Sequence, residues 1–391
     1  MKQKILDAVR CQEQELLNMA DCICDNPEVG LREYKASVLL ADHLRQHGFK
    51  VELGVGGLDT AFRAEWSNGA GGPRIGLLCE YDALEGIGHG CGHHLQGPSI
   101  LGAAIALRET LPPALPCTVV VYGTPAEETV GGKLIMLENG CFRDIDVALM
   151  MHASSTGTGV DLRMMAMTSL TVAFTGQGAH AAIRPEVGRS ALDALLLAFH
   201  GIECLREHVK DDVRIHYAVT DGGMPANAVP AHAAAEIIVR SFERMELEDV
   251  LARVQRVFDG AALMTDTSCV VTRARDLDNS IDVPALRALL MDNAALVDAP
   301  KLAPPRDKTG SSDFGSVCYR VPGACIRVAS DGPVPAPGHS REAAAQGKSA
   351  ENHAAVLYGA EILAATAYDL ISSPEACKAV AADFAAGKAG Q

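Results

Sequence analysis

The chain has 391 residues, more than one simple core normally organises, so two domains are expected. Its formal charge of −15 disfavours a polyanionic partner such as nucleic acid, and aromatics at 4% leave little for a base-stacking surface. Hydrophobic residues at 48% and charged residues at 21% are ordinary for a globular protein.

Met1-Lys2-Gln3-Lys4-Ile5-Leu6-Asp7 turns charged too early for a signal peptide. No stretch reads as the ~18 apolar residues of a membrane span. The expectation is a cytoplasmic protein with no membrane partner. Apolar spacing predicts helices over 2–25 and 34–47, broken by Asn26-Pro27. Ile75–Cys79, Thr118–Tyr122, Val147–Met151 and Ala324–Ala329 are apolar runs of strand length, with helical patterns at 96–110 and 131–139 between them. Strands alternating with helices imply an α/β fold, a mostly parallel sheet sandwiched by helices. Residues 167–278 differ. Ser169–Phe174, Arg214–Thr220, Ala233–Phe242 and Ser268–Ala274 read as strands, and Arg189–His208 and Met245–Phe258 as helices. That order is the split βαβ pattern of a ferredoxin-like α+β domain. The division is therefore 1–166 with 279–391 as the first domain and 167–278 as an insertion. A helix over 350–372 closes the first domain, and the Ala-, Gly- and Lys-rich tail after Pro374 is expected to fray.

Twelve cysteines are spaced irregularly, several inside apolar runs, which fits buried reduced thiols better than a disulfide framework. Cys22-Ile23-Cys24 could also be a metal clip, but no second cluster lies nearby in sequence.

The chemistry gathers where the runs end. Glu80 and Asp82 follow the first, Glu127 and Glu128 the second, and His152 the third. Ligands and catalysts in open α/β sheets collect at the carboxyl ends of strands. Cys91 and His93, two apart in Gly88-His89-Gly90-Cys91-Gly92-His93-His94, can face one side of an extended loop and form half a zinc or manganese site. A glycine-rich turn around a buried thiol, or a nucleophilic Cys91, explains the same residues. In an extended Glu127-Glu128 pair the side chains diverge, so one carboxylate can bind metal while the other takes a proton from the attacking water. An adjacent Glu pair is otherwise a solvated turn. Asp82 could orient a ligand imidazole or cap the next turn. His339, in Pro337-Gly338-His339-Ser340, would alone be a loop residue. His180, in Gly176-Gln177-Gly178-Ala179-His180, reads equally as a turn histidine. Arg240 ends a strand and its fork suits a carboxylate or a structural ion pair.

These segments together resemble the metallopeptidase and amidohydrolase family of carboxypeptidase G and aminoacylase. Within it they are most similar to the branch of aminobenzoyl-glutamate hydrolase subunits, auxin-conjugate amidohydrolases and β-alanyl-dipeptide hydrolase relatives. The resemblance runs from Asn26-Pro27-Glu28-Val29-Gly30 through Glu80-Tyr81-Asp82-Ala83-Leu84 and Cys91-Gly92-His93 to Gly310-Ser311-Ser312-Asp313-Phe314. It implies a catalytic domain with two divalent metal ions, Zn²⁺ or Mn²⁺ with Co²⁺ as substitute, and a lid domain that commonly dimerises. By resemblance the ligands are Cys91, His93, Glu128, His152 and His339. Glu127 is the general base and Asp82 the acidic residue beside the metals. His180 is the lid histidine that stabilises the tetrahedral intermediate, and Asn227 and Arg240 hold the substrate carboxylate. Two positions depart from the branch: His94 stands where Asp or Asn is usual, and Glu85 where Pro is usual.

The reading that follows is a metal-dependent amidohydrolase acting on an N-acyl amino acid or dipeptide with a free carboxylate, working as a homodimer. A non-catalytic binding protein on the same fold and a Cys91-dependent thiol hydrolase are the rivals.

Overall fold

The computed structural model describes residues 1–390 apart from Met224, Asp331, Pro333 and Pro335. Its strands, in chain order, are β1 (Lys50–Leu53), β2 (Phe62–Asn68), β3 (Arg74–Cys79), β4 (Cys117–Gly123), β5 (Val147–Ser154), β6 (Gly159–Val160), β7 (Ala166–Thr175), β8 (Arg214–Asp221), β9 (His232–Ser241), β10 (Ser268–Leu277) and β11 (Gly323–Ala329).

The chain divides into two units, Met1–Arg163 with Ser280–Gly390, and Met164–Asn279. In the first, seven strands form a sheet of order β1-β2-β4-β3-β5-β11-β6. The four apolar runs are its centre, where β4, β3, β5 and β11 pair in parallel. The margins β1, β2 and β6 pair antiparallel. Every residue of β4 is buried, as a strand covered on both faces requires. Helices Lys2–Cys11, Tyr34–Gln46, Gln96–Thr110, Pro284–Leu296 and Ala350–Ser372 share one apolar core with the sheet.

The second unit is a four-stranded antiparallel sheet of order β10-β7-β9-β8. Alternate residues of β9 (Ala233, Ala235, Ile237, Val239) face a core shared with helices Ala191–Arg206 and Arg244–Thr265. Strand order and connectivity are those of a ferredoxin-like α+β fold.

Two expectations need correction. The tail after Pro374 does not fray: Pro374–Ala389 is a helix. Ser373 caps it by accepting from the Ala376 N–H, Pro374 opens the first turn, and the Ala-rich stretch has the highest intrinsic helix propensity. Residues 2–25 are two helices, Lys2–Cys11 and Glu13–Asp25, parted at Gln12, whose side-chain amide donates to Ala8 and Gly102 carbonyls. Ala350–Ser372 is, by length and composition, apolar enough to cross a membrane. Its apolar window is 78% buried, so it packs as a central core helix. Its small residues allow close approach: Ala360 lies against Gly102 of Gln96–Thr110, where an added Cβ would come within 3.2 Å. All twelve cysteines are free.

Candidate metal centre

β3, β4 and β5 deliver their chemistry at one end of the sheet. Glu80 and Asp82 follow β3, Glu127 and Glu128 follow β4, and His152 lies on β5 close to its end. The loop carrying Cys91 and His93 leads into helix Gln96–Thr110, with Gly92 at φ 84. A side chain at Gly92 would place its Cβ 2.7 Å from that of Ala153, so this turn can lie against β5 only as glycine.

Cys91, His93 and His152 each bring a donor atom within 4.8 Å of the others, and so do Cys91, Glu128 and His339. Cys91 belongs to both groups. Cys91 Sγ is 3.6 Å from His152 Nε2, and His339 Nε2 is 3.4 Å from Glu128 Oε1. Two donors on one tetrahedral ion, with bonds of 2.0–2.3 Å, stand roughly 3.3–3.6 Å apart. Glu128 Oε1 is buried and accepts no hydrogen bond, an orphan that a cation would satisfy. The donor set and its spacing therefore fit divalent metal ions.

Asp82 fixes one of these donors. Its Oδ1 lies 3.0 Å from His93 Nδ1, and its Oδ2 accepts the Glu128 N–H at 2.9 Å. Burial alone would raise the Asp82 carboxyl, but the hydrogen bond and charge of His93 outweigh it and hold it low. With Nδ1 engaged, His93 offers Nε2 to the ions. Burial pushes the Cys91 thiol up to about 12, so it becomes a thiolate only beside a strong cation.

Glu127 and Glu128 each bring an oxygen within 4.8 Å of His93 and of the other, and differ in their remaining neighbours. Glu128 faces His339 and His93. Glu127 offers an oxygen within 4.8 Å of Glu80 and Asp313. Burial, then repulsion from Asp313 and Glu80, lifts its carboxyl to about 8. Ala126, at φ 61, makes the turn before the pair, and its N–H donates to buried Glu33 Oε1 at 2.8 Å.

Sequence reasoning missed the group beneath Glu127. Lys133, fully buried, sits 2.5 Å from Glu80 Oε1 and 2.7 Å from Asp313 Oδ1. Burial works against the Glu80 charge, but Lys133 and His93 draw its pKa down to about 2. Asp313 shifts upward, through burial with Glu80 adding to it. The only clue was Lys133 directly after the glycine pair that follows Glu127-Glu128.

The remaining candidates lie in the second unit. His180 and Asn227 are on adjacent loops: His180 bridges Ala228, and the Ala181 N–H donates to the Asn227 carbonyl at 3.0 Å. Both side chains are exposed. Arg240, on β9, is half-buried, and burial followed by the charge of Arg275 lowers its pKa. Of the two departures, His94 turns away from the donors, with Nε2 2.8 Å from the Gly347 carbonyl oxygen, and Glu85 is exposed in a turn.

Parallel strands whose carboxyl ends bring together a Cys/His/Glu donor set, with the buried carboxylate of Glu127 beside it, form a candidate divalent-metal centre. The match is specific: residues 76–368 fit the model of peptidase family M20/M25/M40, and the chain belongs to that family. It is 38% identical over 281 residues to one of the p-aminobenzoyl-glutamate hydrolase subunits of Escherichia coli, covering 67% of this chain and 58% of that protein's length. It is 35% identical over 347 residues to the Xaa-Arg dipeptidase of Mus musculus, covering 84% and 78% respectively. A dinuclear metal-binding M20 peptidase of Bacillus subtilis shares the fold with a TM-score of 0.70 at 20% identity, over 91% of this chain and 98% of that one.

Proposed function

We propose that the protein hydrolyses the amide bond of an N-acyl amino acid or dipeptide bearing a free carboxylate. Cys91, His93 and His152 would hold one divalent ion, and Cys91, Glu128 and His339 a second, Zn²⁺ or Mn²⁺ being suited to such donors. The observation that carries this reading is Cys91 shared between two donor groups with Glu127 beside them. When bound, the ions supply Lewis acidity toward the amide carbonyl and the attacking water.

The chain's residues do the rest. Glu127 takes the proton of the attacking water and returns it to the leaving amine, its carboxylate lying beside the donor groups within 4.8 Å of His93 and Glu128. Asp82 holds the His93 ring in orientation. In the second unit, Arg240 and Asn227 bind the substrate carboxylate and His180 supports the oxyanion. The nearby guanidinium of Arg275 adds positive potential around Arg240. The names of the two relatives place N-acyl glutamates and dipeptides ending in Arg first among substrates to try.

A homodimer through the second unit completes the reading. β8 is an edge strand with Tyr217 and Val219 exposed, able to extend the sheet across a two-fold axis. Twelve free thiols fit a cytoplasmic location. The thiol-hydrolase alternative is disfavoured by the high pKa of Cys91. The test is chelation. Turnover of the substrate panel should vanish in protein shown to be metal-free and return with Zn²⁺, Mn²⁺ or Co²⁺; undiminished turnover without metal ends the proposal.

A further inference from the structure

A further donor group lies between two helices of the first unit. Glu15, on helix Glu13–Asp25, and His43 and His47, at the end of helix Tyr34–Gln46, each bring a donor atom within 4.8 Å of the others. None of the three belongs to the donor groups around Cys91. The two histidines are four residues apart. The His47 N–H donates to the His43 carbonyl at 3.1 Å, so one helical turn separates them and their rings share one face. The ring centroids are 4.7 Å apart. Glu15 Oε1 stands 3.8 Å from His43 Nδ1. The two helices share one apolar core, to which Met19 and Ile23 come from the first and Leu40 and Leu44 from the second.

We propose that Glu15, His43 and His47 form a separate zinc site that clamps helix Glu13–Asp25 to helix Tyr34–Gln46. Two imidazoles and a carboxylate suit Zn²⁺, and water completes the fourth position at this partly exposed edge. Donors on one tetrahedral ion stand roughly 3.3–3.6 Å apart. The helix already pairs the histidines, and Glu15, at 57% side-chain exposure, can swing the remaining distance. His43 is buried, and its Nε2 has no hydrogen-bond partner, so the ring is not kept there for a hydrogen bond from that nitrogen. Burial lowers its pKa against the pull of Glu15, which leaves a neutral ring with a lone pair to offer. Glu109 Oε1, 3.7 Å from His47 Nδ1, adds a second negative charge, so two carboxylates balance one divalent ion.

The full chain as wild type, His47→Gln and Glu15→Gln is stripped of metal and dialysed against one zinc buffer, and bound zinc is counted by elemental analysis. Neither residue is fully buried, so both substitutions are compatible with folding, and circular dichroism matching wild type establishes it. Each variant should hold one equivalent fewer than wild type. The count is a difference between chains that share the centre of Cys91, so it stands whatever number of ions that centre takes. Thermal melts give a second readout. An ion that joins two helices stabilises the fold by mass action, so zinc should raise the Tm of wild type more than that of either variant. Equal zinc counts in wild type and His47→Gln overturn the site, since zinc scattered over the surface would survive that change. A full equivalent retained by Glu15→Gln overturns the three-donor arrangement. Either failure leaves the proposed function standing, and turnover that proves independent of metal leaves this site standing.

Discussion

Replacing Glu127 and Glu128 one at a time by Gln separates two roles that adjacent identical residues would otherwise share. Glu127 sits among like charges, and its carboxyl is raised from 4.5 to about 8 by burial first and then by Asp313 and Glu80. Glu127→Gln removes the group that moves the proton and leaves every donor of the two metal groups in place. Its kcat should fall ~10²–10⁴-fold, about 3–5 kcal/mol of barrier, with two metal ions retained. The metal-free variant should also melt higher than wild type. A carboxyl whose folded pKa is raised costs stability progressively as pH rises from about 4.5 to about 8, so an uncharged amide gains most on the alkaline side. Glu128→Gln acts on a different quantity. Its Oε1 is buried, accepts no hydrogen bond and stands 3.4 Å from His339 Nε2. A neutral amide there cannot balance a cation, so bound metal should drop by one equivalent. The assays are kcat on saturating substrate, elemental analysis after dialysis, and thermal melts of metal-free protein at pH 8.5. Equal metal loss in both variants, or Glu127→Gln turnover within tenfold of wild type, would refute the division of roles.

Other outcomes follow from the same geometry. Glu33 is buried, bonded by the Thr60 hydroxyl and the Ala126 N–H, and burial lifts its carboxyl from 4.5 to about 6. The folded state therefore holds this proton more tightly, and about 2 kcal/mol of stability is lost as pH rises through that window. Urea melts from pH 4 to 7 should show that slope in wild type and its absence in Glu33→Gln; parallel curves would contradict it. Arg240→Ala should lower kcat/KM for a free-acid substrate by roughly 2–5 kcal/mol and affect the matching amide far less. Equal losses for acid and amide would make Arg240 a structural residue. Light scattering should find a dimer, and charges placed at Tyr217 and Val219 on β8 should dissociate it; a fully active wild-type monomer would remove the dimer and with it any cross-subunit role for His180.

The parts of the fold that can be read from sequence are those whose signal is local. Four apolar runs of strand length become the parallel centre because burial on both faces demands continuous apolar sequence. Their ends therefore locate Glu80, Asp82, Glu127, Glu128 and His152 before any contact is known. Sheet margins carry weaker patterns: β1 has four residues with mixed burial, and β6 has two. The tail helix was hidden because Ala, Gly and Lys suit a loose end as well as a helix, until Ser373 is seen to cap it. Long-range pairing left no local trace. Lys133 meets Glu80 across 53 residues and Asp313 across 180, and Glu33 reaches Ala126 across 93. His94 is of the same kind: its departure from the branch gives no role from sequence, and its Nε2 lies 2.8 Å from a backbone carbonyl oxygen more than two hundred residues away.

The charge balance of the centre ties these pieces together. Glu80, Asp82 and Asp313 are almost completely buried, and Glu127 and Glu128 are largely so. Lys133 is the only fully buried lysine beside them among the described residues. Five carboxyls face one ammonium and the His93 imidazole, and that excess of negative charge is costly in a water-poor interior, because an unpaired buried charge loses several kcal/mol of hydration. The protein relieves part of that cost at Glu127, whose carboxyl is raised to about 8 by burial and then by its neighbours' charges. Hydrogen bonds from the Glu128 backbone N–H and from His93 relieve more at Asp82. The remainder is a standing demand for divalent cations. Glu128 Oε1, buried without a hydrogen-bond partner, expresses it most directly. Metal binding is then coupled to stability: each ion that satisfies the cluster stabilises the folded chain by mass action. A core that builds such a strained centre needs a rigid frame, and the buried parallel strands supply it, since a site held at strand ends can keep like charges together without collapsing around them.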